Sequence, residues 1–203
     1  RDLDEDAFRA GRVSARHFGE LLVPEESRYV QHVKQGEAVA EESAIADIAA
    51  EVSGSIEPGC LYILGPGSTT FAIKQALGIE GTLLGVDVVR DGECLARDAA
   101  EGELLALLAA HAGPSAIVVT AIGGQGHVFG RGNQQISARV IRAVGIANVT
   151  IVATRHKIAA LAGRPLLADT NDPALDRELH RYLRVVTGYR EAILYPVGYD
   201  ASA

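Results

Sequence analysis

The sequence predicts an α/β fold: a largely parallel sheet with flanking helices over residues 55–203, preceded by an N-terminal β/α arm over residues 1–54. Three observations carry this. Strand-like and helix-like segments alternate from residue 61 to 197, the pattern of parallel strands joined by helical crossovers. The segments SAIVVTAI (115–122) and NVTIVAT (148–154) have no polar face, as expected of strands covered by helices on both sides. Helix starts and stops fall where capping chemistry wants them, at Ser137, Gly145, Thr154 and Asp172.

The arm is expected to hold two strands and a helix. RVSARHFGELLVP and SRYVQHVK alternate crudely between apolar and polar residues, with a turn at 24–27 between them. Residues 40–53 place Ile45, Ile48, Ala49 and Val52 on one helical face, and Gly54 ends the run. LYIL (61–64) is then a short buried strand. GPGST is a loop, and TTFAIKQALG is a helix stopped by Gly78. TLLGVDVV (82–89) is a strand, and RDGECLA turns a hairpin at Asp91-Gly92. Residues 100–111 form a Leu- and Ala-rich helix ahead of the central strand at 115–122. Ser137 caps the helix ARVIRAV, and Thr154 caps RHKIAALAG. PLLAD is a short strand, Asp172-Pro173 opens another helix, and AILYPV adds the last strand.

Only 5% of the 203 residues are aromatic and none is Trp, so the core must be aliphatic. A net charge of −7 argues against sequence-independent nucleic-acid binding, which needs a basic face. It leaves room for a single nucleotide, whose phosphate can be held by local N–H groups and a few basic side chains. Cys60 and Cys94 lie far apart without a CxxC or a His cluster; two reduced thiols in a cytoplasmic protein are expected, and no metal site. No apolar run reaches bilayer length, so no membrane partner is expected. The chain contains no Met and opens at Arg1, and is expected to be a piece of a longer polypeptide.

Two loops carry candidate chemistry. Gly65-Pro66-Gly67-Ser68-Thr69-Thr70 links a buried strand to a helix. Its glycines permit close backbone approach, and the helix start offers free N–H groups, which suits an anion. A plain strand-to-helix turn with a hydroxyl cap accounts for the same residues. There is no GKS/T, so this is not a Walker A loop. The second loop runs Gly123-Gly124-Gln125-Gly126-His127-Val128-Phe129-Gly130-Arg131-Gly132-Asn133-Gln134-Gln135. It leaves the carboxyl end of the central strand, where open parallel sheets place ligands. Arg131 suits bidentate phosphate binding, and Asn133, Gln134 and Gln135 offer paired donors and acceptors. Asp87, charged within a strand, either lies at a sheet edge or faces a site, toward Mg²⁺ carried by a nucleotide. His127 is a candidate for proton transfer or simple hydrogen bonding. The remaining histidines have no metal spacing and read as surface or structural. The turn Thr187-Gly188-Tyr189-Arg190 is a minor contact candidate.

GGQGHVFGRGNQQIS, VTIVAT, LLADTNDPALD and VVTGYRE resemble the C-terminal half of the long ATP-NAD kinase-type proteins, the form that includes the acetoin-catabolism X type. LYILGPGSTT, TLLGVDVVRDG and the opening 34 residues extend the likeness over nearly the whole chain. The resemblance implies ATP and NAD as substrates, Mg²⁺ as cofactor, and transfer of a phosphoryl group to make NADP. Gly67-Ser68-Thr69 looks like the family's Gly-Ser-Thr segment beside the dinucleotide, which implies ligand contact. The family's Gly-Gly-Asp-Gly-Thr loop, whose Asp activates the ribose 2′-hydroxyl, belongs to an N-terminal half. Here Gly123-Gly124-Gln125-Gly126 is only superficially similar, since an amide cannot accept a proton as a carboxylate does. No catalytic residue is therefore assigned, and this chain alone is expected to be catalytically weak or dead. Its expected partners are nucleotides, the N-terminal half of the same polypeptide, and further copies of itself in a homo-oligomer. Two other readings stand beside the kinase: a non-catalytic nucleotide-binding or regulatory module in acetoin catabolism, and an assembly domain using the Gly-rich loop as an interface. The resemblance also implies a β-rich C-terminal lobe, whereas helix–strand alternation predicts α/β.

Overall fold

Parallel strands with apolar faces need cover on both sides, and the computed structural model provides it. It describes residues 2–3, 15–16, 27–122 and 124–198, with side-chain surroundings from residue 36 onward. β1 (Asp2–Leu3) and β2 (Ala15–Arg16) form a separate antiparallel pair. The rest of the strand expected over 12–24 lies outside the described residues. α1 (Ser27–Gly54) is 28 residues long, so the strand expected at SRYVQHVK is instead its opening turns. Tyr29 and Val33 are four positions apart, a spacing that serves a helix and that crude alternation mimics.

The main sheet follows. β3 (Leu61–Leu64), α2 (Ser68–Ala76), β4 (Asp87–Arg90) and β5 (Glu93–Ala96) lead to α3 (Glu101–Ala110) and β6 (Ser115–Thr120). β7 (His127–Phe129), α4 (Ala138–Val144), β8 (Val149–Val152) and α5 (Arg155–Ala160) come next. β9 (Leu166–Ala168), α6 (Pro173–Leu179), β10 (Arg181–Gly188) and β11 (Glu191–Gly198) complete the order. Nine strands form one sheet in the order β5-β4-β3-β6-β8-β10-β11-β9-β7. β3, β6, β8 and β10 run parallel, as do β11, β9 and β7; the hairpins β4–β5 and β10–β11 and the β3–β4 pair are antiparallel. The fold is α/β with a mostly parallel sheet.

Side chains alternate across the central strands. Ile117 and Val119 of β6, Ile151 of β8 and Val185 of β10 face a large cluster covered by α3, α4 and α6. Val118, Val152 and Val186 face the other cluster, under α1 and α2, where Ile48, Ala49 and Val52 of α1 are buried. Three of the four residues read as the helix face are thus core; Ile45 is half-buried.

The caps fall as read: Ser137 accepts from Val140 N, Thr154 from Lys157 N, and Asp172 from Ala174 N and Leu175 N. Asp91 and Gly92 both take positive φ in the β4–β5 hairpin. The strand expected over 82–89 starts only at Asp87, because residues 82–86 wrap around a buried lysine. The strand β10 was not foreseen. Its outer half is exposed and charged, and only Val185–Gly188 is buried.

The second glycine-rich segment is not all loop. His127–Phe129 forms the edge strand β7, paired with β9, and the sheet curls until this edge returns to the end of β6. Ile122 and His127 exchange backbone hydrogen bonds of 2.7 and 3.2 Å there. The Asn133 side-chain amide donates to the Val128 carbonyl at 2.8 Å, covering more of the same edge.

Candidate functional site

The carboxyl ends of β3, β6 and β8 open onto a cavity of about 490 Å³, within the range of roughly 300–1,000 Å³ usual for small-ligand sites. One wall is the first glycine loop, with Pro66, Gly67 and Ser68. Gly124, Gly126 and Gly132 of the second also line the cavity. Leu84, Ile122, Ala160 and Leu161 supply apolar surface, and Thr120, His156 and Lys157 polar groups.

Local structure explains the first wall. Gly67 is the N-cap of α2 at φ 121, where a Cβ would press into the Thr120 methyl at 2.5 Å. The loop therefore lies directly on the end of β6. Gly67 N is held by the Leu83 carbonyl at 2.8 Å, and Thr70 Oγ1 donates to the Gly67 carbonyl at 2.9 Å. The first turn of α2 faces the cavity with the positive end of its dipole. Thr120 is buried, and its hydroxyl has no hydrogen-bond partner. A buried hydroxyl without a partner is costly, and Thr120 is among the residues that line the cavity.

Lys157 enters from the first turn of α5. Its Nζ lies 3.1 Å from Thr69 Oγ1. Burial pushes the amine below the usual lysine range, and the Glu41 carboxylate opposes that. Such an amine gives up its proton more readily than an exposed lysine.

The residues singled out from sequence fall into three groups. Gly67, Ser68, Gly124, Gly126 and Gly132 line one cavity, and Thr69 is bonded to its lysine. Gln125 and Arg131 are exposed and bonded to each other at 3.0 Å; Asn133 is buried against Val128; Gln134 is exposed and Gln135 half-buried, and none of these five lines the cavity. Gly123 lies outside the described residues.

Asp87 is placed elsewhere. It pairs with Lys74 of α2 at 2.8 Å, both side chains fully buried. Its Oδ1 accepts from Thr82 Oγ1 and Asp98 N, and its Oδ2 from Thr82 N. Both oxygens are committed within the chain, so this carboxylate does not fit a role on Mg²⁺. Among the described residues, no cluster of three His, Cys, Asp or Glu side chains is placed to hold a metal, and no carboxylate lines the cleft.

His127 is half-buried on β7 and lies outside the cavity lining; burial, then the Arg131 charge, lowers its proton affinity. Thr187 donates to Glu191 at 2.9 Å beside the β10–β11 turn. Cys60 and Cys94 are free thiols, and among the described residues no helix is long and apolar enough to cross a membrane.

Sequence reasoning missed Lys157, Thr120 and the apolar wall. One signal was available for the lysine: a basic residue three positions after a capping Thr, at the carboxyl end of an apolar parallel strand.

Together, fold and cleft define an α/β domain with a mostly parallel sheet and a crevice at its strand ends, where such sheets commonly place ligands. The sequence model of the ATP-NAD kinase C-terminal domain matches residues 58–197, and the chain belongs to that family. No curated protein and no solved structure gave a match.

Proposed function

We propose that this chain is the nucleotide-binding C-terminal lobe of an NAD kinase-like phosphotransferase of the long, acetoin-catabolism X type, which converts ATP and NAD to ADP and NADP. One observation carries the reading: the two glycine-rich segments line one cavity, which Lys157 and the start of α2 also line, in contact with each other. A phosphate fits between the lysine and the free N–H groups of the first helical turn. The planar base fits against Leu84, Ile122, Ala160 and Leu161.

Phosphoryl transfer asks mainly for positioning and charge neutralisation. The 2′-hydroxyl oxygen of NAD bonds to the γ-phosphorus, the bond from that phosphorus to the bridging oxygen of ADP breaks, and the hydroxyl proton passes to a base. Mg²⁺ would be carried by the ATP phosphates and would neutralise their charge, since no carboxylate among the residues lining this cleft would hold it. The base is the Asp of a Gly-Gly-Asp-Gly-Thr loop upstream; Gln125 cannot take that part. This chain thus contributes the cradle, and by itself transfers phosphate weakly or not at all.

A second reading has one observation in its favour. The cleft lining contains no carboxylate, which suits a nucleotide-sensing module equally well. Calorimetric titration with ATP, ADP, NAD and NADP, with and without Mg²⁺, tests both. Saturable binding weakened by Lys157→Ala supports a nucleotide cleft. Absence of binding to all four, in this chain and in the longer protein, overturns it. Formation of NADP by the longer protein separates the kinase from the sensor.

A further inference from the structure

Residues 82–86 lead into β4 outside any strand, so their carbonyls need donors from elsewhere. The Lys74 ammonium of α2 supplies two. Its Nζ donates to the Thr82 carbonyl at 2.9 Å and to the Gly85 carbonyl at 3.2 Å, the two that bracket Leu83-Leu84. It also lies 2.8 Å from Asp87 Oδ2, so all three ammonium donors are engaged.

Thr82 closes the bracket. Its N–H and its hydroxyl donate to the two oxygens of Asp87 at 2.6 and 2.8 Å, while its carbonyl takes the bond from Lys74. Asp98 N donates to the same carboxylate at 2.9 Å. The arrangement has no slack: a Cβ at position 81 would press on Lys74 Cδ at 2.5 Å, and one at position 85 on the Thr82 hydroxyl. What the bracket holds is part of the cleft. The Leu83 carbonyl accepts from Gly67 N at 2.8 Å at the cap of α2, and Leu84 lines the cavity together with Pro66, Gly67 and Ser68. One buried ion pair thus fixes both the first glycine loop and an apolar part of the lining, without itself lining the cavity.

We propose that Thr82 and the Lys74–Asp87 pair are positioning residues of the cleft: they pin Leu83-Leu84 as a strap against Gly67, and so set how tightly the cleft holds its ligand. A buried ion pair gains little net stability over apolar residues of the same size; what this one supplies is a single arrangement of the strap. The affinity part rests on the nucleotide-cleft reading; the strap itself does not.

The test uses the 203-residue chain as wild type, as Thr82→Val, which removes the hydroxyl, and as Thr82→Ser, which keeps it. The first readout needs no ligand: amide hydrogen exchange of Gly67, read by NMR against Ile117 and Ile151 in the central strands. Loosening the strap frees the Gly67 N–H locally, whereas a general loss of stability speeds the core amides as well. In Thr82→Val, Gly67 is expected to exchange about tenfold faster, from the loss of one bond to a charged group, with a smaller change at Ile117 and Ile151. Thr82→Ser stays near wild type. An unchanged Gly67 rate overturns the proposal. So does an equal acceleration of all three amides, or of the Val and Ser forms. If Thr82→Val does not fold, Thr82→Ala is judged by the same criteria. The second readout is ADP affinity by calorimetry, expected to fall roughly fivefold in Thr82→Val and to stay near wild type in Thr82→Ser. If wild type binds no ADP while Gly67 exchange behaves as expected, the nucleotide reading fails and the strap stands. If wild type and Thr82→Val bind ADP equally while Gly67 exchanges faster, the strap's control of the cleft fails and the nucleotide reading stands.

Discussion

The ammonium of Lys157 lies 3.1 Å from the hydroxyl of Thr69, bringing α5 and α2 together across the cleft although 88 positions separate them. The contact fixes where an anion can sit, since the same helix start that carries Thr69 offers unpaired N–H groups. Lys157→Met is expected to weaken ADP binding about tenfold, the loss of one charge-assisted contact of about 1.4 kcal/mol. Calorimetry on a variant with unchanged thermal unfolding checks it; equal affinity would remove the lysine from the site.

Binding should also depend on pH in a defined direction. Burial holds the Lys157 amine below the ordinary value of 10.5, with Glu41 opposing. The protonated form attracts an anion, so above the range in which ADP's own phosphate protonates, affinity is lost as pH rises through the lowered value, before an ordinary lysine would titrate. Lys157→Arg should flatten this loss, because a guanidinium stays charged. ADP affinities measured from neutral to strongly alkaline pH decide it.

Lys74→Met should destabilise the fold by about 3–5 kcal/mol, because it leaves Asp87 charged, buried and without its cation. The double variant Lys74→Met/Asp87→Asn should recover part of that. Urea unfolding of the two singles and the double closes the cycle; additive losses would mean the pair is not coupled.

Gly130 has φ +86, and a Cβ there would overlap the Asp169 carbonyl. Gly130→Ala is expected to cost roughly 2–4 kcal/mol from backbone strain and overpacking together. A melting temperature equal to wild type would contradict this close approach between β7 and the end of β9.

The fold was legible where local signals agree. Ser137, Thr154 and Asp172 are capping residues in sequence and in structure, and the apolar runs at 115–122 and 148–154 became the paired central strands β6 and β8. β10 was hidden because the exposed Arg181, Tyr182 and Arg184 blur its alternation, and SRYVQHVK because a short segment satisfies two periods at once. At the site, the glycines were visible since they enforce close approach. Lys157 and Thr120 were not, because what gives them meaning is a meeting of distant segments and a hydroxyl without a partner, neither of which sequence spacing encodes. Asp87 stood out for its charge, but its Lys74 partner sits thirteen positions away on a helix that periodicity alone would have turned anywhere.

The curl of the sheet has a further consequence. The free side of β7 is taken up by Ile122 and by the Asn133 amide, so the nine-stranded sheet has one unpaired border, β5. That border is only four residues long, begins with Glu93, and borders an irregular register at Val88–Val89. Among the described residues of this sheet, an incoming strand has that one border to add to. Two copies joined back to back at β5 would use up that place on each, and the joint sheet could grow no further. At this sheet, then, strand addition would join copies in pairs.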